Sequence, residues 1–296
     1  MRYPPTRSRR RKLRRSLVLC LGLFVLLAGG GFIYWSDTRF PATAEPLAGT
    51  PVELLVQKGA TKRDLRAIRD GLRLENRYMK RTFGRSPRGH IVGRVAHGSG
   101  CRPFQASGGA LVGEADAGFV CIDTTSLAWQ WVVLKDLTAA TSISAHEYVH
   151  VFQAELGCLP KQITYRWIIE GMATDLAWRA LIAAGRATDA RAKRTIRRDG
   201  AFDTNLEPLA NYEVEAGRDR EYALWHLAVR RLLRKAVDQG AAPAARPELA
   251  LLSFCVRVGH GRPWRAAFKR SFGLSVASFY ADFWRDRQIG ALRSGF

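Results

Sequence analysis

His146-Glu147-Tyr148-Val149-His150, with Trp167-Ile168-Ile169-Glu170-Gly171-Met172-Ala173 close behind it, is the stretch that decides the reading of this chain. Residues four apart on an α-helix share a face, so His146 and His150 present two imidazoles to one point while Glu147 projects beside them. The surroundings fit a helix. Ile143, His146, His150 and Ala154 line one face with Val149, Phe152 and Leu156 beside it, Thr138 or Thr141 is placed to cap the start, and Gly157 and Pro160 close the end. A second amphipathic run, from about Arg166 to Ala184, carries Glu170 in its first turns, and a short connection folds it back against the first.

Two neutral imidazoles and one carboxylate form a three-ligand set that leaves the fourth position of a tetrahedral zinc ion open to water. Water in such a site is acidified toward neutrality, and a neighbouring carboxylate takes its proton and delivers it to a leaving group. The expectation is one zinc ion per chain, held by His146, His150 and Glu170, with Glu147 as general base of a hydrolysis. Cobalt or manganese suits similar ligands.

The strings H-E-Y-V-H at 146–150 and W-I-I-E-G-M-A at 167–173 resemble the gluzincin zinc metallopeptidases, the thermolysin-like and peptidase MA-like group. The resemblance implies zinc on His146, His150 and Glu170, Glu147 as catalytic base, and a peptide or protein substrate. It extends more weakly over residues 51–296. Upstream are a helix ending Thr82-Phe83-Gly84-Arg85 and strand-like segments at His90 to His97 and Gly118 to Asp123, similar to the family's edge strand. Downstream, Phe268-Lys269-Arg270-Ser271-Phe272-Gly273-Leu274-Ser275 leads to Phe279 and Trp284. The family also implies a downstream Tyr or His that donates to the oxyanion. Tyr212, Tyr222, His226 and His260 are the candidates, and Tyr222 is preferred because Tyr222-Ala223-Leu224-Trp225-His226 begins a helical run. One position departs from the pattern: the family's aspartate four residues after the third ligand is replaced by Thr174, with Asp175 one further along. A catalytically inactive binding scaffold, or a hydrolase of non-peptide amides or esters, are the other functions this pattern allows.

The N-terminus bears on location. Residues 1–15 hold eight Arg or Lys and no acid, and residues 16–35 run without a charge. Twenty residues at 1.5 Å each span roughly 30 Å, the thickness of a bilayer's apolar core. Tyr34 and Trp35 stand where interfacial aromatics belong. The reading is a basic cytoplasmic tail, a single-pass anchor at 16–35, a tether at 36–50 and an extracytoplasmic catalytic domain at 51–296. Secretion after cleavage near Ala44, in Ala42-Thr43-Ala44, is the alternative.

Removing the eight tail charges from the net +21 leaves +13 on the exported part, which suits anionic envelope components as partners. No nucleic-acid recognition motif is present. Outside the apolar run, Cys101, Cys121, Cys158 and Cys255 allow three disulfide pairings, and the pairing Cys101 with Cys121 and Cys158 with Cys255 is the expectation. The fold class expected is α+β: a small mixed β-sheet, the helix of the histidine pair, the second ligand-bearing helix, and a C-terminal helical lobe.

Overall fold

The computed structural model describes residues 42–97, 101, 113–159, 164–199, 208–213 and 221–288. The apolar run at 16–35 lies outside them, as does most of the glycine-rich loop after His97; among the described residues no helix is long and apolar enough to cross a membrane. The chain divides into two units, residues 1–42 and residues 43–296, and among the described residues the second holds every helix and all but the first residue of the sheet.

Five strands, β1 (Ala42–Pro46), β2 (Val52–Gln57), β3 (Ile91–Ala96), β4 (Gly113–Asp116) and β5 (Phe119–Asp123), form one mixed sheet in the order β1-β2-β3-β5-β4. β2, β3 and β5 are parallel neighbours, and β4 closes one edge antiparallel to β5. The β1–β2 connection closes with Leu47 N–H on the Val52 carbonyl and is too short for a crossover, so β1 runs back along β2. Within the span read as a tether at 36–50, residues 42–46 pair with the free side of β2 and Leu47 enters the core. The strands predicted at 90–97 and 118–123 exist as β3 and β5, but they are interior rather than edge strands. Their nearly continuous apolar character suits burial on both faces.

Nine helices are seen among the described residues: α1 (Lys62–Phe83), α2 (Leu127–Lys135), α3 (Leu137–Glu155), α4 (Arg166–Ala183), α5 (Asp189–Asp199), α6 (Glu221–Asp238), α7 (Leu249–Gly259), α8 (Trp264–Phe272) and α9 (Val276–Gln288). Thr61 and Asp64 make a reciprocal capping box at the start of α1, which buries Ile68, Leu72 and Met79. The cap of α3 differs from the sequence reading. Asp136, the single residue between α2 and α3, accepts from the N–H groups of Thr138 and Ala139, so the carboxylate at the break takes the place foreseen for Thr138 or Thr141.

Helix α3 packs against both α1 and α4, and α4 packs against α6. Tyr148, Val149 and Phe152 of α3 and Trp167, Ile168 and Met172 of α4 are fully buried, each such side chain stabilising by about 1.5–3 kcal/mol. Two glycines permit the close approaches. A Cβ on Gly71 would stand 2.5 Å from the Thr141 carbonyl oxygen, and one on Gly171 would stand 2.5 Å from the Trp225 carbonyl oxygen. The C-terminal lobe buttresses α4 through Trp167, which stacks on Phe279 at 5.5 Å and donates its indole N–H to the Tyr280 hydroxyl at 3.0 Å. Disulfides join Cys101 to Cys121 and Cys158 to Cys255, the second tying the segment after α3 to α7.

Candidate metal centre

Because α3 and α4 are locked face to face, their polar side chains meet at fixed positions. His146 and His150 point their Nε2 atoms at each other across 3.0 Å, and Glu170 Oε2 lies 3.3 Å from the first and 3.2 Å from the second. Among the described residues this is the one group of three or more His, Cys, Asp or Glu side chains that could hold a metal ion.

The hydrogen bonds behind these groups decide which imidazole nitrogens face the centre. Gln153 donates its amide N–H to the Ile169 carbonyl at 2.9 Å, which turns its Oε1 to the Nδ1 of His150 at 2.6 Å. An amide oxygen only accepts, so that Nδ1 carries the proton. Thr174 donates its hydroxyl to the Glu170 carbonyl at 2.9 Å and accepts from Nδ1 of His146 at 3.3 Å. In the neutral tautomers both Nε2 atoms are then lone-pair donors, and with the carboxylate oxygen they make three acceptors about 3 Å apart that need a proton or a metal ion between them.

Such a cluster could hold a metal ion. In a tetrahedral zinc site with bonds of roughly 2.0–2.1 Å the ligand atoms stand roughly 3.3 Å apart. The observed separations fit that triangle, and the donor set of two imidazoles and a carboxylate fits the ion. The electrostatics of the metal-free chain point the same way. Burial works against a charged His150, yet the charge and hydrogen bond of Glu170 outweigh it and push the imidazole up to about 9. Burial likewise opposes ionisation of Glu170, but the two histidines hold its carboxyl well below the usual range.

Glu147 is buried beside the cluster, where desolvation raises its carboxyl against the pull of His146 and His150. Of the four oxyanion-donor candidates, Tyr222 is the one whose ring meets a ligand, edge-on to His146 with centroids 5.9 Å apart. Tyr212 packs on Trp225, and His260 is exposed beyond α7. His226 is buried on Asp175, 3.0 Å from its Oδ1. Asp175 also accepts from Arg179 at 2.6 Å and so faces away from the ligand histidines. It does not stand in for the family's aspartate, because one residue further round a helix turns a side chain by about 100°. Thr174 fills that role itself. Gln153, three residues beyond His150 on the same face, and Arg166, four before Glu170 and 3.6 Å from its Oε1, are site residues that sequence reasoning missed although their helical spacing signals both.

No family model matches the chain, and no curated protein matches it. Among solved structures, the chain is similar to an M1 zinc metallopeptidase variant from Deinococcus radiodurans, at 16% identity and a TM-score of 0.40, over 83% of this chain and 50% of that one. It is also similar to an aminopeptidase N family protein from Idiomarina loihiensis, at 12% identity and a TM-score of 0.39, over 81% of this chain and 42% of that one. The chain thus spans half or less of the length of either. Likeness at this level carries no functional argument, and the functional reading rests on the site.

Proposed function

We propose that this chain is a zinc-dependent metallopeptidase that hydrolyses peptide bonds, anchored in the cell membrane by residues 16–35 with its catalytic unit outside the cytoplasm. The observation that carries the catalytic reading is the convergence of His146 Nε2, His150 Nε2 and Glu170 Oε2 beside the buried Glu147. Zinc held there supplies a Lewis acid for the substrate carbonyl and lowers the pKa of water in the site. Glu147 takes the proton of the attacking water and passes it to the departing amine, a role favoured by a carboxyl whose affinity for protons is raised by burial. The hydroxyl of Tyr222 donates to the oxyanion as it develops. Retention of Glu147 argues for turnover over a purely structural metal, since holding an ion needs no base.

The anchor is supported by the uncharged run of twenty residues behind a basic flank. Cleavage after Ala44 would remove three of the five residues of β1, which favours an intact anchor over a secreted product. Replacing Glu147 with Gln tests the chemistry: the variant keeps about one zinc per chain by elemental analysis and loses turnover of a peptide library by on the order of 10²–10⁴. Full activity in that variant, or no metal in the folded parent, overturns the reading.

A further inference from the structure

Helix α2 has apolar residues on every side: Leu127-Ala128-Trp129-Gln130-Trp131-Val132-Val133-Leu134-Lys135. A helix of that kind is ordinarily buried all round. Here only one face is. Trp129 and Val133 turn into the core, and the Trp129 indole donates to Asp64 at 2.8 Å. Leu127, Trp131 and Leu134, spaced four and three apart on the other face, are 82%, 56% and 69% exposed. Three large apolar side chains in a row on a surface mark a place of contact.

The rim of this face is basic. Arg63 donates to the Val133 carbonyl at 2.7 Å and to the Leu134 carbonyl at 3.4 Å, holding its guanidinium at the C-terminal end of α2, and exposed Lys135 follows Leu134. Leucines and a tryptophan bordered by cations are the composition of a helix that lies in a membrane interface with anionic headgroups around it.

Topology puts the face on the correct side of the domain. β2, β3 and β5 are parallel, and α2 follows the C-terminal end of β5. Because β1 runs back along β2, it starts at that same end of the sheet, three strand spacings or about 14 Å across from β5. The described chain thus enters the sheet at the same end from which it leaves β5 for α2. Between Trp35 and Ala42 are seven steps, a reach of at most about 25 Å.

We infer that the Leu127, Trp131 and Leu134 face of α2, with Arg63 and Lys135 at its rim, rests on the anionic lipid surface of the membrane that holds the chain. The inference rests on the anchored reading above and narrows its substrate class. Helix α3 begins one residue after α2, so His146 and His150 lie roughly 14–20 Å along α3 from the docked helix. A centre held there acts on polypeptide segments close to the bilayer.

The test uses the full chain in vesicles of phosphatidylcholine and phosphatidylglycerol, with Cys20→Ala and the four remaining cysteines paired in disulfides. Nitroxide labels are placed at Leu127→Cys, at Leu134→Cys and at exposed Lys269→Cys on α8 as a reference. Flotation reads the anchor, and collision with oxygen against a water-soluble nickel chelate reads the face. The result expected is a chain that floats, with both α2 labels favouring oxygen several-fold over the reference. A floating chain whose α2 labels favour nickel as much as the reference overturns the docked face and leaves the anchor standing. Spin coupling between α2 labels on separate chains shows a second copy covering the face and equally overturns lipid docking. A chain that does not float overturns both readings.

Discussion

The hydroxyl of Thr174 accepts from Nδ1 of His146 at 3.3 Å while donating to the carbonyl of Glu170. One side chain thus orients the first histidine from the very helix turn that carries Glu170, the proposed third ligand. Gln153 does the same for His150 from the other helix. Both orienting groups are neutral. Thr174→Val, which keeps the shape and removes the hydroxyl, is expected to weaken zinc affinity by about 10–100-fold, read by chelator competition on the metal-free protein. Thr174→Asp restores a charged acceptor and is expected to tighten binding. Affinity unchanged in the valine variant would remove Thr174 from the site.

Gly171 follows Glu170 and lets α4 approach α6 to within the reach of a methyl group from the Trp225 carbonyl. Gly171→Ala forces these helices apart at the third ligand. The expected result is a stability loss of about 1–3 kcal/mol together with substoichiometric zinc. Loss of stability with metal binding intact would show that α4 yields without moving Glu170.

Asp175 is buried between Arg179 and His226. Burial alone would raise its carboxyl, but the Arg179 charge and the His226 hydrogen bond hold it below the ordinary value of 3.8. A carboxyl depressed in the folded state contributes stability that is fully present above its unfolded value and is lost as pH falls through the folded one. Asp175→Asn is therefore expected to cost about 3–5 kcal/mol at neutral pH, with the gap to the parent narrowing once the pH drops below about 4. Urea melts of both proteins across that range check it; a gap independent of pH would mean that the carboxylate is not what the pair stabilises.

Glu75 shows the opposite sign. It is buried in α1, neither carboxyl oxygen has a hydrogen-bond partner among the described residues, and desolvation raises its proton affinity well above normal. The folded chain keeps a proton there that the unfolded chain releases, so this residue lowers stability as pH climbs above its unfolded value of 4.5. Glu75→Gln is expected to leave stability at about pH 4 unchanged and to raise it at about pH 8. Equal effects at both pH values would count against a buried, protonated Glu75.

Much of the metal centre is legible along the chain because its parts are local. The i, i+4 spacing of His146 and His150 and the helical run around Glu170 are properties of a few turns, and the Thr61 capping box and the α6, α7 and α9 runs are equally local. The cap of α3 and the edges of the sheet are less legible. Asp136 is a cap only because α2 stops one residue before α3, and residues 42–46 form a strand only because β2 offers them a free side.

Residue order by itself determined which groups can serve as ligands and base, since helical periodicity fixes the face on which each side chain stands. Tertiary packing alone decided that Glu170 comes within 3.3 Å of both imidazoles, that Asp175 meets His226, and that three apolar side chains of α2 stay uncovered. These depend on how closely helices distant in sequence approach one another. That is set by long-range burial and by the absence of a Cβ at Gly71 and Gly171, which no local pattern encodes.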